Sequence, residues 1–216
     1  MRILDAASSI KSIAIVFYFF EAAAALLTIG VIFFLWKQTR KTCHQRHVQK
    51  VIESLGVKYL HNAVFPDGVD GLVFIDYLLL SPFGFIVLDI GHNEGHLFGG
   101  ETVDQWSQVV GNKTYKFTNP LYDNQNKCQA LIWNIKQQAQ QANINVDPNW
   151  ETHGWVAFTN AGNFPKGIPK QVSMIDDLKQ NLGDLITTDQ TVSEELSNIW
   201  EALHNLSIDT RAANAH

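Results

Sequence analysis

Two apolar segments, each with one acidic residue inside it, constrain the fold of this chain more than any other feature. Leu72–Leu80 and Phe85–Ile90 contain Asp76 and Asp89, and a Ser-Pro-Phe-Gly sequence at residues 81–84 joins them. Apolar runs on either side of a Pro/Gly turn predict the two strands of a β-hairpin. A carboxylate inside a buried strand is costly unless something pairs with it or binds it. We therefore expect a divalent cation between Asp76 and Asp89. The alternative is a pair of structural carboxylates whose hydrogen bonds are satisfied within the protein.

The order of the other elements predicts an α/β fold with a mixed sheet whose strands pair mainly as a meander. Helices are expected at Thr42–Leu55, from Pro120 to about Ala142, at Val172–Asn181 and at Val192–Leu206. Further strands are expected at Val57–Phe65, Thr114–Phe117 and His153–Thr159, and glycines mark a loop at residues 95–100. Asn119 followed by Pro120 is typical of a capped helix start, with asparagine as the N-cap and proline at the first position.

An almost uninterrupted apolar segment, Ser12–Trp36, precedes these elements. As a helix rising about 1.5 Å per residue it would be about 37 Å long, which is enough to span a bilayer core of about 30 Å. Basic residues are more frequent after it (Lys37, Arg40, Lys41, Arg46, Lys50) than before it (Arg2, Lys11). The positive-inside rule then predicts a single-pass protein of the cell inner membrane with its C-terminal domain in the cytoplasm.

Two alternatives concern this segment. A cleaved signal peptide would use the small residues Ala22–Ala25, although cleavage there would leave a second apolar stretch. Glu21 lies inside the segment, where a charge costs about 3 kcal/mol on insertion scales. It indicates either association with a partner's membrane helix or a protonated side chain that the apolar segment tolerates.

The composition of the C-terminal region argues against tight binding of nucleic acid. From Val51 onward there are nine Lys/Arg residues against nineteen Asp/Glu residues. A duplex-DNA binder normally carries a basic stripe that displaces counterions, and none is visible here. The two cysteines, Cys43 and Cys128, offer neither a disulfide framework nor a zinc-binding spacing, so free thiols are expected.

The ordered motifs between Asn62 and Gln125 resemble the nuclease-related domain (NERD) family of the PD-(D/E)XK nuclease-like superfamily. The matching sequences are FIDYLLLSPFG, FIVLD, Trp106 and the Asn-Pro-Leu motif at residues 119–121, within a resemblance that covers about residues 44 to 135. The resemblance implies a restriction-endonuclease-like mixed sheet flanked by helices, here preceded by one transmembrane helix. It also implies that Asp76 and Asp89 are the catalytic acids and hold Mg²⁺ or Mn²⁺.

The chain departs from the family pattern at three positions. Gly91 stands where the pattern has the lysine of acid-x-Lys, Asp123 stands where the family often has glutamine, and Gln45 falls near a family glutamate. Lys113 and Lys116 are the nearest substitutes along the chain. Loss of the lysine predicts impaired catalysis, and hence a membrane-anchored domain with a binding or scaffolding role. The alternative is a Mg²⁺-dependent nuclease that hydrolyses phosphodiester bonds through Asp76 and Asp89.

A second set of metal-ligand types overlaps these acids. His92, Glu94 and His96 follow Asp89 closely, and with Asp76 they could form a mixed nitrogen and oxygen site for a transition metal. This predicts a Zn²⁺ or Ni²⁺ sensor as a third function. The alternative is an exposed, glycine-flanked loop that binds nothing, because alternation along a continuing strand would point His92 away from Asp89.

The expected organisation follows from these assignments. It comprises a short segment at 1–11, a transmembrane helix at 12–36, a basic linker at 37–42, a nuclease-related core at 43–142, a strand and helices at 143–209 that complete the same domain, and a tail at 210–216. The expected partners are the lipid bilayer through residues 12–36, a membrane helix or another protein, and nucleic acid only weakly because of the acidic surface.

Overall fold

A computed structural model gives the conformation of residues 26–32, 34, 45–147, 150–186 and 191–213, with side chains as far as residue 208. The chain divides into two compact units, residues 1–47 and 48–216. The second unit contains every strand of the described part of the chain. It is an α/β domain, as predicted.

A five-stranded mixed sheet forms the centre of this unit. Its strands, in spatial order, are β1 (Tyr59–Pro66), β2 (Leu72–Ser81), β3 (Gly84–Gly91), β7 (Glu151–Phe158) and β9 (Val172–Met174). The first three form an antiparallel meander, whereas β7 and β9 are added in parallel. The predicted hairpin is confirmed, with Ser81 paired to Gly84 at its turn.

A second, four-stranded sheet was not predicted. It has the order β6 (Lys113–Thr118), β5 (Gln105–Val110), β4 (Gly95–Phe98) and β8 (Gly162–Asn163). The expected loop at residues 95–100 therefore begins as a strand. The strand expected at Thr114–Phe117 is confirmed as β6. The other strands of this sheet are short and many of their residues are exposed, so they lack the apolar alternation that reveals a buried strand.

Helices cover both faces of the five-stranded sheet. They are α1 (residues 45–54), α2 (Pro120–Ala142), α3 (Leu178–Asn181) and α4 (Glu194–Ala213), with 3-10 turns at Ile175–Asp177 and Gly183–Leu185. The α2 boundaries agree with the prediction, and α4 extends further toward the C-terminus than Leu206. The helix predicted at Val172–Asn181 is wrong in its first part, because Val172 and Ser173 pair with Val156 and Ala157 as a parallel strand.

Within the described part of the chain, no helix is long and apolar enough to cross a lipid bilayer. The backbone is helical at residues 26–32 and 34. Most of the span predicted at residues 12–36, including Glu21 and Trp36, lies outside the described residues. The described residues therefore do not support the predicted transmembrane helix.

Each face of the sheet contributes to its own apolar core. On one face Leu78 and Val87 pack with Leu131 of α2 and Trp200 of α4 in one buried cluster. On the other face, a second cluster joins residues of β2 and β3 to α1 and α3; it includes Leu79, Leu88, Ile52 and Leu178. The central hairpin is thus buried on both sides, which explains why its two strands read as continuous apolar runs.

Strand β2 changes its alternation at Asp76. Ile75 and Leu78 belong to the same apolar cluster although they are three residues apart, whereas Tyr77 belongs to the opposite cluster. In a regular strand, residues three apart point to opposite faces. The facing position of β1 is also irregular, because Asn62 has a positive φ of 54°. Irregular strand geometry of this kind often lies beside functional sites, where it redirects a side chain.

The start of α2 is held by one buried asparagine. The Asn119 side chain accepts from the Leu121 N–H at 3.0 Å, which is an N-cap interaction. Its amide group also donates to the carbonyls of Gly100, Glu101 and Val103, at 3.2, 3.3 and 2.9 Å. Asn119 therefore joins α2 to the loop that connects β4 with β5, and it determines where the first turns of the helix lie.

Asn119 both caps α2 and donates to three carbonyls, so we expect that mutation can separate these two contributions to stability. Asn119→Ala removes the cap and the donors, and we expect a loss of about 3 kcal/mol of unfolding free energy. Asn119→Asp keeps the cap acceptor but loses the donors, and we expect at least half of that loss. Chemical denaturation measures both, with Asn145→Ala in an exposed loop as control. If Asn119→Asp were as stable as the wild type, the contacts with the three carbonyls would contribute nothing to the free energy of unfolding.

Candidate functional site

The two acids of the hairpin lie together at the end of β3. Tyr77 pairs with Leu88 in the β2–β3 ladder, so Asp76 and Asp89 are the next residues beyond that pair. The Asp76 carboxylate accepts a hydrogen bond of 2.8 Å from the Ile90 N–H. The structure therefore brings together the two residues that the sequence predicted as site acids.

Both carboxylate oxygens of Asp89 are engaged by side chains of α2. Lys127 Nζ lies 3.0 Å from Oδ1, and Asn124 Nδ2 donates to Oδ2 at 3.0 Å. The Asp89 side chain is only 12% exposed. A buried carboxylate needs such partners, and here a cation and an amide supply them.

Lys127 bridges two carboxylates. Besides Asp89, its Nζ contacts Asp123 Oδ2 at 2.9 Å, one helical turn earlier on α2. The Lys127 side chain is 17% exposed, whereas that of Asp123 is 65% exposed. The lysine in contact with the site is thus Lys127, whereas Lys113 and Lys116 are exposed residues of β6 in the other sheet.

Asn124 attaches α2 to the sheet as well as to Asp89. Its amide also donates to the carbonyls of Val87 on β3 at 3.1 Å and Trp155 on β7 at 3.3 Å. Position 154 has to be glycine to leave space for the Asn124 side chain, because a Cβ there would lie 2.0 Å from Asn124 Oδ1. The position of α2 over the acids is therefore determined by hydrogen bonds to backbone as well as by apolar packing.

Asn124 and Lys127 were not recognised from the sequence, although a signal was present. The buried stripe of α2 runs through Asn124, Cys128, Leu131 and Ile135, at spacings of four, three and four residues. A polar residue in such a stripe indicates a buried partner, since buried amides are nearly always hydrogen-bonded. The position of Asn124 in this stripe could have identified it as a buried residue. No comparable pattern distinguishes Lys127 from the other lysines.

Burial and neighbouring charges shift the pKa values of the paired groups. Burial raises the pKa of Asp89, and the charge of Asp76 adds to this, while Lys127 and Asn124 act in the opposite direction. Burial alone would lower the pKa of Lys127, but the charges and hydrogen bonds of Asp89 and Asp123 outweigh it, so that pKa is raised. Lys127 is therefore a cation at neutral pH.

The position of the missing family lysine is closed by an aromatic ring. A Cβ at Gly91 would lie 2.4 Å from two ring carbons of Phe158, its ladder partner on β7. Phe158 is itself buried, with Trp106 stacked at 6.0 Å and Phe164 edge-on at 5.2 Å between ring centroids. A side chain at position 91 would need this aromatic cluster to move.

The two histidines that follow β3, His92 in a loop and His96 on β4, lie on the surface. His92 and His96 are exposed, and His96 Nδ1 is 2.7 Å from Asn163 Oδ1 of β8. Among the described residues, no group of three or more His, Cys, Asp or Glu side chains is arranged to hold a metal ion. The carboxylates of Asp76 and Asp89 are oxygen ligands of the kind that Mg²⁺ takes. Metal binding by His92 and His96 stays a prediction.

Comparison with known proteins agrees with the motifs of the hairpin. The profile of the nuclease-related domain (NERD) family matches residues 41–159, which is more than half of the chain. The chain therefore belongs to the nuclease-related domain family. This match includes both acids, Gly91, and the whole of α2 with Lys127.

One curated relative is an uncharacterized protein of Bacillus anthracis. It is 27% identical over 97 residues, which are 44% of this chain and 46% of the relative. The chain thus spans about half the length of that relative. No solved structure matches this chain.

The buried thiol beside Lys127 gives a direct test of the site's environment. Burial, together with the charge of Asp89, raises the pKa of Cys128 to about 12. At pH 8 only about one thiol in ten thousand would then be ionised, so Cys128 should resist alkylation. In a Cys43→Ser variant we expect thiol labelling at pH 8 to be slow in the native protein and fast after denaturation. Fast labelling of the native protein would contradict the burial of this face of α2.

Proposed function

We propose that this domain hydrolyses phosphodiester bonds in a metal-dependent reaction, with Asp76 and Asp89 as the site acids and nucleic acid as the substrate class. The contact of 3.0 Å between Lys127 and Asp89, beside Asp76, carries this proposal. It places a cation in the site although the position of the family lysine is a glycine. Membership of the nuclease-related domain family supports the same chemistry.

Asp76 and Asp89 are the residues that would hold a divalent cation. When bound, Mg²⁺ or Mn²⁺ would act as a Lewis acid on the phosphoryl oxygens. The residues themselves provide two carboxylate donors, of which Asp89 is buried and Asp76 half-buried, and the Ile90 N–H orients the Asp76 carboxylate. Asn124 holds the other carboxylate against rotation through its bond to Oδ2.

The proposed reaction consumes one water molecule for each bond broken. The water oxygen forms a bond to phosphorus, the bond from phosphorus to one ester oxygen breaks, and the departing oxygen takes up a proton. The products are a phosphate monoester and an alcohol. Negative charge increases on the phosphoryl oxygens during this step, so a fixed ammonium close to them would lower the barrier.

We also propose that the domain is attached to the inner membrane through residues 12–36 and faces the cytoplasm. Support comes from the apolar sequence of this segment and from the basic residues that follow it. A nuclease at such a position would act on nucleic acid that reaches the membrane surface.

A second candidate function is a non-catalytic binding or scaffolding module. The observation in its favour is that both oxygens of Asp89 are already engaged, by Lys127 and Asn124, as in a structural ion pair. The excess of acidic residues after Val51 also favours a protein partner over a polyanion. This function predicts no cleavage of any phosphodiester.

Cleavage by the full chain, purified in mild detergent, decides between the two functions. With Mg²⁺ or Mn²⁺ we expect cleavage of labelled single- or double-stranded DNA or RNA, and a loss of about a thousandfold or more in Asp89→Asn and in Asp76→Asn. The reason is that each substitution removes a negative ligand charge while leaving the side-chain volume unchanged.

Asp70→Asn is the matched control, because Asp70 is an exposed acid in the turn between β1 and β2. It should cleave like the wild type. Equal cleavage by Asp89→Asn and wild type would identify a contaminating nuclease. No cleavage by the wild type on any of these substrates would favour the binding module.

A further inference from the structure

We propose that Lys127 is the catalytic lysine of this site and takes the place of the lysine that the family pattern has at the position of Gly91. The inference rests on the proposed phosphodiester hydrolysis and names the side chain that would contact the phosphoryl group. The lysine would thus come from helix α2 instead of from strand β3.

The first support is that position 91 cannot easily hold a lysine in this fold. Its Cβ would meet the Phe158 ring at 2.4 Å, well inside normal contact distance. Phe158 is 1% exposed and packs against Trp106 and Phe164, so the ring has little room to move. Glycine at position 91 and phenylalanine at position 158 therefore fit each other, and a cation for the site has to come from another element.

The second support is that α2 places Lys127 at the acids through several independent contacts. Asn119 caps the helix, and Asn124, one turn before Lys127, is hydrogen-bonded to Asp89, Val87 and Trp155. Lys127 then reaches Asp89 at 3.0 Å with a side chain that is mostly buried. A long side chain that is held in this way loses little further freedom when a substrate binds, which favours catalysis.

The third support is the remaining hydrogen-bonding capacity of the ammonium. A lysine ammonium has three N–H donors, and in the described structure the carboxylates of Asp89 and Asp123 account for two of them. Asp89 lies inside and Asp123 lies at the surface, so the ammonium sits between the buried acid and solvent. The third N–H can therefore donate to a phosphoryl oxygen or to the attacking water.

The test replaces Lys127 by methionine, which keeps most of the length and volume but removes the charge. In the full chain we expect kcat to fall by about a hundredfold to a thousandfold with little change in KM, and Lys127→Arg to retain part of the activity. Lys136→Met is the matched control, since Lys136 is an exposed lysine of the same helix. It should behave like the wild type.

A second readout separates a catalytic role from a structural one. Mn²⁺ affinity, measured by electron paramagnetic resonance without substrate, should be equal or tighter in Lys127→Met, because an opposing positive charge has been removed from Asp89. Weaker Mn²⁺ binding together with lost activity would show that Lys127 only maintains the acids, and would overturn the inference.

Chemical restoration covers the case in which Lys127→Met does not fold well. Lys127→Cys in a Cys43→Ser background can be treated with 2-bromoethylamine, which restores an ammonium of nearly the same reach; Cys128 is protected by its raised pKa. We expect this treatment to raise the activity of Lys127→Cys at least tenfold over that of the untreated variant. No return of activity in a protein shown by mass spectrometry to be modified at position 127 would count against Lys127.

The outcomes distinguish this inference from the proposed function. If the wild type and Lys127→Met cleave at similar rates while Asp89→Asn does not cleave, the nuclease function stands and the role of Lys127 is wrong. If the wild type cleaves none of the oligonucleotides, nor bis(p-nitrophenyl) phosphate, the proposed function is wrong and this inference is overturned with it.

Discussion

The structure of the site depends on the need to pair one buried carboxylate. Asp89 lies in a strand that is covered on both faces, and an unpaired charge there would cost several kcal/mol. Helix α2 supplies Asn124 and Lys127 to its two oxygens. Asn124 also bonds to the backbones of β3 and β7, so the contacts that pair the acid attach the helix to the sheet. Fold and site are stabilised by the same interactions.

The chemistry of the site is consequently divided between two layers of the fold. The sheet contributes the acids, and an irregularity of β2 at Asp76 lies beside them. The helix contributes the cation, while Phe158 fills the space that a lysine at the end of β3 would need. Such an arrangement retains a positive charge next to the acids although the family pattern along the strand is broken at Gly91. The sequence motif of β3 alone would classify this site as defective, because it lacks the lysine. In three dimensions the site contains both the negative carboxylates and the positive ammonium of Lys127.

Sequence reasoning succeeded where local signals were strong. The central hairpin and the start and end of α2 were predicted because apolar runs, a Pro/Gly turn and the Asn119-Pro120 cap all indicate the same elements. It failed where pairing between distant segments decides the conformation. Val172–Met174 is a strand because β7 offers it a parallel edge, and β4 is a strand because it pairs with β5 and β8. No local pattern contains that information.

By itself, the sequence determined the α/β class, the hairpin with its two acids, and membership of a nuclease-related family, since each depends on local residue patterns and on their order along the chain. The tertiary structure alone decided that Lys127 contacts Asp89 across 38 positions and that Phe158 closes the space at Gly91. The physical reason is that these contacts depend on how α2 and β7 pack against β3. Buried hydrogen bonds and ring contacts between segments that are distant along the chain determine that packing. Such contacts leave no periodic pattern in the sequence.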